Sequence, residues 1–147
     1  MNPFEVLVLN PERTLCEKIM SLVRFSQTDE PITDLSNKIR HTYDIHLMLK
    51  DKTLNAFFLS EKFNLMLLKV ANDDVESFKN NNEWLANHPK TAIIFSETES
   101  TWNKIKNIYR GNFSELVFGK LPNETEIVKT LMTISNRLKT IEWKIKV

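Results

Sequence analysis

Two glycines in 147 residues, Gly111 and Gly119, constrain this chain more than any other feature. Turns that need positive φ fall mostly to glycine, so a chain this poor in it favours helices joined by short polar connections. A phosphate cradle of clustered glycines, whether a Walker A loop or a dinucleotide-binding fingerprint, cannot be built from two isolated ones. Hydrophobic residues make up 41% of the chain, enough for a modest core. The expectation is a mainly α fold, a helical bundle of about five to six helices with one short N-terminal strand, in which residues 1–147 form a single domain.

Charge and cysteine content narrow the function classes. Twenty lysines and arginines against 19 acids leave a net charge of +1, without the basic excess of a dedicated nucleic-acid binder. A lone cysteine, Cys16, excludes an intramolecular disulfide. No apolar run reaches the roughly 18 residues of a membrane span, and Met1 to Glu5 lacks the basic and apolar regions of a signal peptide. A cytoplasmic protein that does not enter a membrane is expected.

Phe4 to Leu9 is nearly continuous in Val, Leu and Phe, the pattern of a strand covered on both faces. Asn10 suits an N-cap and Pro11 the first helical position, which predicts a helix from Pro11 to about Phe25 with Lys18 at the border of its apolar face. Asp29, Glu30 and Pro31 punctuate a loop to Thr33, and a second helix is expected from about Asp34 to Leu49. Asp51 precedes a short helix over Leu54 to Leu59, and Ser60 is a candidate cap for a helix running to about Lys79. The stretch from Glu83 to Ser96 is irregular, with Thr91 to Phe95 short and extended or docked. Ser96 to Glu99 has capping-box spacing before a helix striped by Trp102, Ile105, Tyr109, Phe113 and Leu116. Phe118-Gly119-Lys120-Leu121-Pro122 closes it, and Asn123 to Glu126 caps a last helix with Ile127, Leu131, Ile134, Leu138 and Ile141 on one face.

Few residues carry recognisable chemistry. The ammonium of Lys18 suits a β- or γ-phosphate, although spacing alone favours a solvated lysine paired with Glu17 or Asp44. Arg40 and Asp44 lie one turn apart and can pair with each other or face one site. His41, His46, His88 and Cys16 lack the pairings of a zinc site, so the histidines read as structural or surface residues and Cys16 as packing. Asp74-Val75-Glu76 has the spacing of a metal-binding acidic pair but falls inside a predicted helix and reads as a solvated face. The aromatic residues are chiefly core candidates, with Trp84 the one that could stack on an RNA base if exposed.

In their order along the chain, the strand, Asn10-Pro11-Glu12-Arg13-Thr14, Glu17-Lys18 and Arg40-His41-Thr42-Tyr43-Asp44 resemble the third and fourth active-site motifs of AbiEii-type nucleotidyltransferase toxins of bacterial abortive-infection and type IV toxin-antitoxin systems. The later helices also resemble that family. The resemblance implies a phosphate-binding Lys18, a catalytic Asp44, a substrate-binding Arg40, magnesium and a nucleoside triphosphate, an antitoxin partner, and RNA or protein as acceptor. Its Gly-Ser and Asp-x-Asp motifs come earlier in the family, whereas nine residues precede Asn10 here and none is aspartate. The chain therefore reads as the helical C-terminal portion of such an enzyme, with the N-terminal catalytic half missing or separately encoded. Alone it should neither hold magnesium and nucleotide well nor turn over. The alternative is a non-catalytic helical interaction module or decayed toxin remnant, able to form a homo-oligomer through the strand Phe4 to Leu9.

Overall fold

The first helix begins where its cap predicts. A computed structural model describes residues 10–110 and 123–147, and in it α1 (Pro11–Phe25) opens with Asn10 Oδ1 accepting from the Arg13 N–H at 3.0 Å. That bond satisfies one orphan donor, and Pro11 in the first turn has no N–H to leave unpaired. Leu15, Cys16, Ile19, Met20, Leu22 and Val23 form the buried stripe of α1.

The expected second helix is two. α2 (Pro31–Asn37) starts at the proline read as loop, and α3 (Ile39–Lys50) follows a break at Lys38, where φ is −112° and ψ is 16°. The Lys38 N–H bonds the Leu35 carbonyl at 2.9 Å. This tight junction leaves Leu35 and Ile39 both buried, so the apolar spacing runs through the break without registering it.

Asp51 caps α4 (Lys52–Phe58), its Oδ1 accepting from the N–H groups of Thr53 and Leu54 at 3.0 Å each. Ser60 precedes α5 (Glu61–Ser77) but turns its hydroxyl back to the Phe57 carbonyl at 2.7 Å, closing α4 instead of capping α5. Two 3-10 turns, Glu83–Ala86 and Pro89–Thr91, lead into α6 (Ile93–Ser96). The segment expected to be short and extended or docked is docked, and it is helical and not extended from Ile93. Ile94 and Phe95 are buried, and Ser135 Oγ donates to the Phe95 carbonyl at 2.6 Å, which overrides the β preference of Ile-Ile-Phe. α7 (Thr98–Arg110) follows, and α8 (Glu124–Leu138) is capped by Asn123 Oδ1, which accepts from the Thr125 N–H at 2.8 Å.

Among the described residues the fold is mainly α, with eight helices in place of five or six. The break at Lys38 and the short α6 account for the difference. No strand occurs among them; Phe4 to Leu9, Gly111, Phe113, Leu116 and Phe118 to Pro122 lie outside the described residues.

α1 is central, packing on α5 and α3. Beside it Phe63 meets Phe58 and Phe57 edge to face, with ring centroids 4.9 and 5.9 Å away. From α8, Arg137 reaches the turn between α4 and α5. Its Nε donates to the Phe58 carbonyl at 2.8 Å, its Nη2 to the Ser60 carbonyl at 2.8 Å and to Asn64 Oδ1, and its Nη1 to Thr140 Oγ1 at 2.7 Å. The guanidinium also lies 5.0 Å from the Phe63 ring centroid. Beyond α8, Trp143 Nε1 donates to the Leu85 carbonyl at 2.8 Å. His88 Nδ1 accepts from the Lys90 N–H at 3.1 Å, which leaves the proton on Nε2 to donate to the Ile141 carbonyl at 2.7 Å. His88 is structural, as read.

Candidate active site

Lys18 lies just outside the buried Leu22 and Leu15 in projection down α1, at the edge of the stripe that faces α3. On α3, Ile39, Thr42, Ile45 and His46 are buried, while His41 and Asp44, three residues apart, share the border of that face. The two borders meet. Lys18 Nζ donates to Asp44 Oδ2 at 3.1 Å, joining residues 26 apart in sequence.

The side chains of Lys18 and Asp44 keep 23% and 29% of their surface exposed, so the pair holds the fold by no more than about 1 kcal/mol. Its chemical interest lies in the unused donors. An ammonium has three N–H groups, and one is directed at Asp44, which leaves two for the oxygens of an anion. Arg40 stands a step further round α3, exposed, and Asp44 pairs across to α1 instead of with it. Of the three residues singled out by motif order, two are therefore in contact and the third is on the adjoining surface.

His41 was missed as a member of this neighbourhood, because the sequence reading weighed it only as a zinc ligand. Its ring is half-buried and its Nδ1 is sealed without a hydrogen-bond partner. Burial first, then the cations of Lys18 and Lys38, hold its pKa below the ordinary histidine value, against the pull of Asp44. Its sequence signals are its place inside the motif Arg40 to Asp44 and the helical register with Asp44.

The opposite border of α1 carries a second set of charges. Arg13 Nη2 pairs with Asp73 Oδ2 of α5 at 2.8 Å, and its Nε lies 3.6 Å from Glu17. Asp74 next to this pair is half-buried, unlike the solvated face read for Asp74-Val75-Glu76. Burial and then Glu17 push its carboxyl above the usual value. Further along, a cleft of about 410 Å³ is lined by Arg24, Gln27, Asp29, Glu83, Trp84 and Asn87 among others. One cation against two acids does not favour an anion there. Trp84 is only 8% exposed and donates Nε1–H to the Asn81 carbonyl at 3.0 Å, so it offers no stacking platform.

No group of three or more His, Cys, Asp and Glu among the described residues could hold a metal ion. Asp44 faces an ammonium, which opposes a divalent cation at the same oxygens. An ammonium with donors to spare suits the oxygens of an anion and does not suit a divalent cation. Compared with known protein families, residues 1–124 of the 147 match the nucleotidyl transferase AbiEii toxins of type IV toxin-antitoxin systems. The chain belongs to the AbiEii family. No curated protein and no solved structure matches it. For an AbiEii-family toxin the implied partner is an antitoxin. No helix among the described residues is long and apolar enough to cross a membrane.

Proposed function

We propose that this chain is the helical portion of an AbiEii-family nucleotidyltransferase, in which Lys18 holds the triphosphate of a nucleoside triphosphate and Asp44 fixes the lysine in place. The contact of Lys18 with Asp44 at 3.1 Å joins the two residues that motif order assigns to one site, and the family match over residues 1–124 supports reading that contact as part of a nucleotidyltransferase site and not as a plain ion pair. Asp44 directs one N–H and leaves two for phosphate, and an ammonium so held loses little freedom when the anion arrives. Arg40 is exposed on the same helix, and in this reading it contacts the nucleotide or the acceptor. The Gly-Ser and Asp-x-Asp motifs and the magnesium they bring come from another part of the enzyme, encoded in the same or a separate frame.

The test is transfer from labelled nucleoside triphosphates with magnesium, by this chain alone and by the chain combined with a half bearing the missing motifs. Alone it should stay near background. In the combined enzyme Lys18→Ala should lower transfer about 100-fold or more and Asp44→Asn about tenfold. Efficient transfer by the chain alone would refute the division of labour, and indifference to Lys18→Ala would refute the role of the lysine. The lack of a metal-holding group among the described residues favours a second reading, a non-catalytic helical module or toxin remnant. That reading requires the combined protein to remain inactive with every nucleotide while the chain still binds its antitoxin.

A further inference from the structure

Resting on the assignment of Lys18 to phosphate, we propose that His41 is a proton-taking member of the same site: neutral in the free protein, it becomes protonated when a triphosphate settles against Lys18. Three observations carry this. His41 and Asp44 share the border of α3 that meets Lys18, so the ring and the Lys18–Asp44 pair occupy one stretch of the α1–α3 seam. Its Nδ1 is sealed and unpartnered, whereas Nε2 is not among the sealed atoms and makes no hydrogen bond within the described structure, so Nε2 is the nitrogen left for solvent or ligand. The charges acting on the ring are Lys18 from α1, Lys38 from the junction before α3 and Asp44 one turn on. Burial first, and then two cations against one anion, disfavour its protonated form.

A bound triphosphate inverts that balance. It neutralises Lys18 and places several negative charges beside a ring that burial and two ammonium groups had kept unprotonated, so imidazolium becomes the favoured form. The proton comes from solvent, and no covalent bond is made or broken. Because the bound state then holds one more proton than the free state, binding weakens as pH rises through the titration range of the bound ring. A second cation would thus join Lys18 only when phosphate is present, sparing the free protein two adjacent positive charges.

Inorganic triphosphate is the probe. The His41 ring is followed by NMR from pH 5.5 to 8 in the full chain, free and saturated, and affinity is measured across the same range for wild type, His41→Gln and Lys18→Gln. Saturation should raise the proton affinity of His41 at least about threefold. Wild type should lose more affinity than His41→Gln between pH 6 and 8, a difference in which the probe's own titration cancels. If triphosphate binds in a Lys18-dependent way but leaves the His41 titration unmoved, the His41 proposal is overturned and the Lys18 reading stands. Absence of binding even at millimolar triphosphate, where a weak site would fill, or binding indifferent to Lys18→Gln, overturns both.

Discussion

Arg137 and Lys18 are both partly buried cations that join one helix to another, yet they use their donors in opposite ways. Arg137 directs four of its N–H groups at Phe58, Ser60, Asn64 and Thr140. Burial pulls its pKa down, which marks the cost of desolvating it, and the carbonyl acceptors offset that cost. Lys18 makes one bond, to Asp44, and keeps its remaining donors outward. The contrast separates a cation built into the fold from one available to a ligand: the first is recognised by saturation, the second by what it leaves unused.

The largest effect should come from Arg137. Replacement by methionine strands the Phe58 and Ser60 carbonyls and should lower stability in urea unfolding by about 3 kcal/mol, and Arg137→Lys should recover only part, because a point charge cannot span the same acceptors. A loss under about 1 kcal/mol would break the comparison. Acidification comes next. His46 is buried between α3 and α8, with Nδ1 2.7 Å from Thr130 Oγ1, and burial, then Lys50, lower its pKa against the pull of Glu126. The folded state therefore binds its proton more weakly than the unfolded chain does. The stability linked to this histidine, and to His41, is complete above the ordinary value of 6.5 and is lost as pH falls below it. The urea midpoint should drop between pH 7.5 and 5.5, and less so in His46→Gln. Asp74→Asn should act on the other border of α1, relieving a half-buried carboxyl beside Glu17 and stabilising the protein at pH 7 by less than about 1 kcal/mol. Smallest of all should be Lys18→Met, within about 0.5 kcal/mol of wild type, and a loss well above about 1 kcal/mol would make Lys18 a second Arg137.

What the sequence could reveal tracked how local the determining physics was. Asn10, Asp51 and Asn123 cap the helices they precede through bonds that span two or three residues, and a linear reading finds such bonds. The break at Lys38 escaped because its compact turn conserves the spacing of buried residues. Ile93 to Phe95 were misread because their conformation depends on α8, some 40 residues downstream at Ser135. In the candidate site, Lys18 and Asp44 were found through motif order and not through spacing, since no local rule joins positions 26 apart. Arg137 gave no signal at all: in a helix of mixed polarity it is one more basic residue, and its acceptors at Phe58, Ser60 and Asn64 lie more than 70 positions away. His41 was visible as a letter but not as a neighbour of Lys18, because burial and a seam between helices define it.

Cys16 offers a view of the platform beneath Lys18. As the sole thiol of the chain, wholly buried on α1 and pushed up to about 12, it should be inert to alkylating reagents while that helix is in place. Its reaction rate is then a clock for how often α1 comes away from the core. Slowing of that clock by triphosphate would measure, without any label or engineered probe, how firmly a ligand clamps the helix that carries Lys18.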